Sequence, residues 1–92
     1  MRVTAASYIA EFIGAFFFIL SIFVSAGQPL VVGGALALVI FLIAGVSGGH
    51  VNPAVSVAMM FNGSLTAVEL AGYIVAQIVG GVGAYYSYRL LK

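Results

Sequence analysis

Apolar residues fall into three long blocks along this chain, separated by short interruptions. The first block runs from about Thr4 to Ala26 and stops at Gly27-Gln28-Pro29, a run that favours a turn. The second runs from Leu30 to Val46, and the third from Leu65 to Leu90, with Arg89 and Lys92 at its end. A helix crossing the hydrocarbon needs about 20 predominantly apolar residues. Each block therefore predicts a transmembrane helix, over 4–26, 30–46 and 65–90. The second is near the short end and is expected to start deep or sit upright.

The stretch between the second and third blocks breaks this pattern. Ser47-Gly48-Gly49-His50-Val51-Asn52-Pro53-Ala54-Val55 has paired glycines and then a proline, so it cannot be regular helix throughout. Asn is among the best N-cap residues and Pro suits the first helical turn, so a helix is predicted from Pro53 to Phe61, closed by Asn62-Gly63-Ser64. At 1.5 Å per residue it would measure roughly 13 Å, about half the hydrocarbon core. Placed between two spans, 47–61 reads as a re-entrant loop and half-helix. Irregular backbone inside a bilayer is tolerated only where protein or a water-filled cavity satisfies it. The carbonyls of Gly48, Gly49, His50 and Val51 are accordingly expected to line a pore. The alternative is a surface loop with an interfacial helix, against which Val55–Phe61 lacks a charged face.

Composition fixes the class. The chain is 64% hydrophobic and 5% charged over 92 residues, whereas a soluble domain is about half apolar and about a quarter charged. Five charged side chains could not cover a soluble surface, and disorder calls for polar, charge-rich sequence. The expectation is an all-α, multi-pass integral membrane protein in a lipid bilayer. Arg2 followed by an apolar run could mimic a signal peptide, but the run reaches Ala26 and contains Glu11, so it is read as the first span. There is no Cys, and the net charge of +1 offers no basic patch for nucleic acid. A lone His50 gives no metal set, and no nucleophile–base pair or phosphate loop is visible, so neither enzyme activity nor a cofactor or metal is expected. Small residues at Gly72, Ala76, Gly80 and Ala84, at Ala6, Ala10 and Gly14, and at Gly33 and Ala37 predict close helix packing. Tyr85, Tyr86 and Tyr88 beside Arg89 read as an interfacial anchor. Glu69, near the start of the third helix, suits the dipole there. Glu11, inside a span, is costly and marks either an ion site or a group buried in protein.

Three segments carry a family resemblance. Ser47-Gly-Gly-His-Val-Asn-Pro-Ala-Val-Ser56 resembles the first Asn-Pro-Ala loop of the aquaporin and aquaglyceroporin (major intrinsic protein) family. Ala10-Glu11-Phe12-Ile13-Gly14 resembles that family's first-helix signature. Gly72-Tyr73-Ile74-Val75-Ala76-Gln77, with Gly80 and Gly81, resembles its third helix. The similarity covers nearly the whole chain. It implies a passive channel for water or small neutral solutes, with Asn52, Pro53 and Ala54 at the pore. The Asn52 amide would hold water through its oxygen, and the half-helix dipole would repel cations at the midplane. It implies that Glu11, with Gln77, braces the loop through backbone N–H groups, and that His50 stabilises the loop.

Family members have two such halves in inverted orientation, and this chain matches one. The Arg that follows the family's second Asn-Pro-Ala stands here as Val55. Ungapped spacing from Asn52 puts the narrow filter on Val32 of one chain with Ile40, Gly49 and Val55 of another, all apolar or small. The expected constriction is wider or more hydrophobic than that of a strict water channel. The second half is expected from a second copy in antiparallel orientation, with a tetramer of pores as a further stage. Arg2 lies at one end and Arg89 and Lys92 at the other, while neither Gly27-Gln28-Pro29 nor Asn62-Gly63-Ser64 carries a positive charge, so the charge bias that fixes orientation is almost nil. The alternatives are a different partner chain carrying the second half, a non-conducting membrane assembly subunit, and a gene fragment.

Overall fold

The computed structural model describes residues 2–92. Its elements, in chain order, are α1 (Ala5–Val24), α2 (Pro29–Ser47), α3 (Pro53–Phe61) and α4 (Ala67–Leu90). The 20, 19 and 24 residues of α1, α2 and α4 make these helices long and apolar enough to cross a membrane, and the 9 residues of α3 reach about half as far. The chain is thus an all-α membrane protein of three spanning helices and one half-length helix.

Local chemistry sets the boundaries. Ala26 and Gly27 adopt φ of 55° and 77°, which ends α1 in a tight turn at Val24 instead of carrying it to Ala26. Pro29 occupies the first turn of α2, and the Gln28 side chain accepts the Val31 N–H at 2.9 Å. Asn52 caps α3 by accepting the Ala54 N–H at 2.8 Å, with Pro53 in the first turn. Thr66 and Glu69 cap α4 reciprocally, at 2.9 and 3.1 Å, so the helix begins two residues inside its apolar block.

Contacts between α1 and α4 show that the two helices run in the same direction. Tyr8 meets Tyr73 edge to face near their starts, Gly80 faces Phe12 and Ala15 midway, and Phe23 packs on Tyr85 and Tyr88 near their ends. The return of α2 brings the Val46 carbonyl to Ser7 Oγ at 2.8 Å, beside the start of α1. α1 lies between α2 and α4, which do not pack on each other. The start of α1, the end of α2 and the start of α4 therefore share one face of the bundle. The connection from Ser47 to Thr66 leaves from that face and returns to it. In between it climbs until Val51 sits against Gly14, and then α3 descends along α4, with Ser56 against Gln77.

Helix spacing depends on glycine at several points, Gly14 and Gly80 among them. A Cβ on Gly14 would lie 2.8 Å from Ile43, 2.9 Å from Val51 and 3.0 Å from Val39. A Cβ on Gly80 would run into the Phe12 carbonyl oxygen, a backbone atom that cannot swing away. Of the small-residue stripes expected, that on α4 packs, with Gly80 and Ala84 buried and Gly72 against Tyr8, that on α1 packs at Ala10 and Gly14, and that on α2 does not pack within this chain. On α1 the buried positions are Ser7, Ala10, Glu11, Gly14, Ala15 and Ser21, while Ala6 is exposed. Gly33 and Ala37 are exposed, and a Cβ on Gly33 would meet nothing. That side of α2 faces away from α1 and is bare within this chain.

Gly80→Ala should therefore lower the unfolding midpoint in detergent markedly, with a cost of about 1–3 kcal/mol for forced overpacking. Gly81→Ala, where a Cβ would meet Ile19 at an ordinary 3.5 Å, should leave the midpoint nearly unchanged in the same thermal scan.

Candidate pore site

The loop from Gly48 to Asn52 cannot form a helix, so its backbone groups need other partners. Every N–H from Gly48 to Val51 has one within the protein. The Gly48 amide donates to the Ala44 carbonyl at 2.9 Å and the Gly49 amide to Ser47 Oγ at 3.1 Å. The amides of His50 and Val51 donate to Glu11 Oε2 and Oε1, at 3.0 and 2.7 Å. The carbonyl oxygens of the same four residues accept no hydrogen bond among the described residues. Donors are turned inward and acceptors are left free along one strip.

Glu11 is the receptor for this arrangement. It is fully buried and accepts four hydrogen bonds, the other two coming from Ser47 Oγ at 2.6 Å and Gln77 Nε2 at 2.8 Å. Those donors come from the end of α2, the loop and α4. Hydrogen bonds to a charged acceptor are worth about twice neutral ones. They also hold a strained backbone: Gly48 and Gly49 take positive φ of 91° and 66°, which suits glycine, but Val51 takes φ of 44°. A β-branched residue in that region is an outlier costing on the order of 1–3 kcal/mol, and its N–H makes the shorter of the two amide bonds to Glu11. Gly49 also lies so close to α2 that a Cβ would sit 3.3 Å from the Ile40 Cα.

A second layer extends the network. Gln77 Nε2 donates also to Ser56 Oγ at 2.9 Å, and Ser56 Oγ lies 2.8 Å from His50 Nδ1. The buried Tyr73 hydroxyl donates to the Ser47 carbonyl at 2.6 Å, and its ring packs 5.0 Å from that of His50. Gln77 Oε1 is enclosed without a partner. An unsatisfied buried acceptor costs about 1–3 kcal/mol, which the charge-assisted bond to Glu11 offsets. Sequence reasoning placed Glu11 and Gln77 in this cluster but missed the roles of Ser7, Ser47, Ser56 and Tyr73. The available signal was spacing: Ser7 precedes Glu11 by four residues and Tyr73 precedes Gln77 by four, each pair on one helix face.

Two cavities flank His50. One, of about 400 Å³, is lined by Ala44, Gly48, His50, Met59, Gly63 and Ser64, near the face where the loop enters. The other, of about 200 Å³, lies deeper and brings together Ile40, Gly49, Val51, Asn52 and Val55 with Phe18 and Leu36. Three of the four residues expected at a filter thus share one wall. Val32 does not line this cavity; it stands two turns of α2 away from Ile40, roughly 12 Å. Phe18 and Leu36 were not expected; Phe18 follows Gly14 by four residues and Leu36 precedes Ile40 by four, which aligns them with the packed faces. Asn52 is exposed beside Pro53 and Ala54, and because its Oδ1 caps α3, its Nδ2 is left as a free donor.

On its other side the loop borders a larger trough. Ala15, Ile19 and Phe23 of α1 and Ile78, Gly81, Val82, Tyr85 and Tyr86 of α4 enclose about 510 Å³, with Val51, Pro53 and Gln77 at its floor. α3 covers α4 below that floor, and no element of this chain covers the helix pair above it.

A family model described as Major intrinsic protein matches residues 2–91. The chain is 39% identical over 85 residues to "Glycerol uptake facilitator protein-like 6" of Lactiplantibacillus plantarum, covering 84% of this chain and 39% of that protein. It is 38% identical over 56 residues to "Aquaporin Z" of Photorhabdus laumondii, covering 61% of this chain and 24% of that protein. Identity to "Probable aquaporin PIP2-6" of Oryza sativa is 38% over 50 residues, 54% of this chain and 18% of that protein. The chain therefore spans well under half the length of these curated relatives. No solved structure matches it.

Replacing the carboxylate that receives the loop should be the most damaging conservative change. Whichever way its amide turns, Glu11→Gln sets a donor against a loop amide that can only donate, and the expected cost is roughly 2–5 kcal/mol. Amide exchange at His50 and Val51 in lipid should accelerate by orders of magnitude. Ser47→Ala, which removes one of the four donors and also leaves the Gly49 amide without its acceptor, should cost about 1–3 kcal/mol.

Proposed function

Since the chain belongs to the major intrinsic protein family, we propose that it forms a passive transmembrane channel for water and small neutral solutes, its pore built from two copies of this half meeting at their Asn-Pro-Ala motifs. The observation that carries this reading is the polarity of the loop. Four consecutive amides are spent on the protein, and four consecutive carbonyls stand free beside cavities. Inside a bilayer such carbonyls are tolerable only where protein or a water-filled cavity satisfies them; no group of this chain does so among the described residues, and along a water-filled path they replace part of a permeant's hydration. The Asn52 Nδ2 donor and the positive end of α3 stand at the inner limit of that path, which favours permeants with an oxygen acceptor and disfavours cations.

Solute breadth follows from the deeper cavity. Ile40, Val55, Phe18 and Leu36 offer apolar surface opposite the Gly49–Val51 backbone and Asn52, an amphipathic lining suited to a small polyol as well as to water. The glycerol uptake named for the Lactiplantibacillus relative fits that reading. One polar strip along three spans is not a closed wall, so a second half is needed. The empty trough above Pro53 supports an antiparallel second copy: it is apolar, about half a membrane deep, and open to a helix of the length of α3 arriving from the opposite face. Orientation would be dual, with the pore a homodimer and pores able to associate further.

Proteoliposomes should shrink faster than empty vesicles under both a water-drawing osmotic step and a glycerol gradient. Permeability no higher than that of empty vesicles, in correctly inserted protein, would sink the channel reading. Asn52→Asp should lower water flux several-fold at equal insertion. Tags on the N-terminus should be accessible from both faces of the membrane; labelling from one face alone would replace the second copy with a different partner chain.

A further inference from the structure

We propose that Ser56 is a positioning residue that fixes His50 as its neutral Nε2–H tautomer, so that the ring presents a hydrogen-bond donor to permeants beside the cavities that His50 lines. The functional half of this statement rests on the channel reading; the tautomer does not.

The assignment follows from counting donors outward from Glu11. The amides of His50 and Val51 can only donate, and they reach both carboxylate oxygens. Gln77 must then turn its Nε2, not its Oε1, toward Glu11, because an amide oxygen against a carboxylate is repulsive. The enclosed, unpartnered Oε1 of Gln77 is what this orientation leaves behind. The second Nε2 hydrogen goes to Ser56 Oγ at 2.9 Å, so Ser56 accepts there. Ser56 is fully buried on α3, and its single hydroxyl proton has one acceptor within reach among the described residues, His50 Nδ1 at 2.8 Å. Nδ1 therefore accepts, and the ring proton of a neutral imidazole sits on Nε2. The ring itself is held by Tyr73, 5.0 Å away, whose hydroxyl is tied to the Ser47 carbonyl.

Nε2 has no partner among the described residues, yet it is not among their enclosed unpartnered atoms, of which Gln77 Oε1 is the one found. It opens on space, and His50 lines both the outer polar cavity and the deeper one. A permeant would meet a donor at His50, acceptors along the loop carbonyls, and a donor again at Asn52. Water and alcohols can accept, donate and accept in that order; a cation offering only donors cannot.

The chain contains a single histidine, so nitrogen NMR of protein carrying isotope-labelled histidine, reconstituted in lipid, reads this ring alone. The expected wild-type spectrum is one tautomer, with Nδ1 unprotonated and Nε2 protonated. Ser56→Ala should split the population between the two tautomers, and Ser56→Thr, which keeps the hydroxyl, should restore the wild-type pattern. A wild-type ring protonated at Nδ1, or an even mixture, would overturn the assignment without any variant having to fold. An unchanged spectrum in Ser56→Ala would overturn the role of Ser56. Osmotic flux measured on the same vesicles keeps the two readings apart: the expected tautomer without flux defeats the channel alone, and flux with Nδ1–H defeats this assignment alone.

Discussion

The rest of the structure depends on one buried acceptor. α2 and α4 each pack on α1 but not on each other, and the loop between α2 and α3 makes no helical ladder of its own. Glu11 gathers them: Ser47 from the end of α2, two loop amides, and Gln77 from α4 all donate to its two oxygens. In a hydrocarbon solvent there is little hydrophobic force between helices, so polar contacts and close packing decide where they sit. Losing the carboxylate would orphan several donors at once, and would also release the positive φ of Val51, a conformation that valine does not hold unaided.

The sign of that acceptor fixes the polarity of the surface opposite. An extended peptide has its N–H and C=O groups on different sides. A side chain that takes the amides leaves the carbonyls for whatever passes, and only a group without donors can take several amides together. A basic residue at position 11 would seize the carbonyls and turn amides outward, making a lining for anions. The carboxylate produces a lining that cannot donate, and the donors then have to come from elsewhere. They come from the two side chains whose own acceptor atoms are already committed: Asn52, whose Oδ1 caps α3, and His50, whose Nδ1 faces Ser56.

Much of this was legible in the sequence where a residue type has a local consequence. Asn52-Pro53 announces a helix start, the paired glycines announce a break, and a lone carboxylate in an apolar block announces a buried partner. The lateral arrangement was less legible. α2 is apolar on every side, so no stripe distinguishes the face that meets α1 from the face that meets nothing, and Gly33 and Ala37 were read as packing positions when their side of α2 is bare. Ser56 and Tyr73 stand in segments that drew notice for other residues. The part of Ser56 depends on the register between α3 and α4, and that of Tyr73 on how α4 meets the end of α2 and the loop, neither of which sequence spacing within one helix can supply. Phe18 and Leu36 reach the deeper cavity for the same reason, through the fit of α1 against α2.

The charge of Glu11 is also kept away from the cavities it organises. Its carboxylate is fully covered, sealed behind the amides it accepts, while the start of α3 carries no acidic residue in its first turn. A helix N-terminus bears roughly half a positive charge, and here nothing on the helix itself offsets it. A cation moving along the carbonyls would be drawn to them at first, then meet the end of α3 and the Asn52 amide with its attraction to Glu11 screened by the intervening loop. A neutral hydroxyl meets no such rise, because it can reverse its role from acceptor to donor and back as the lining changes. Burying the acid behind the backbone therefore lets one residue build a carbonyl-lined path without making that path a cation site.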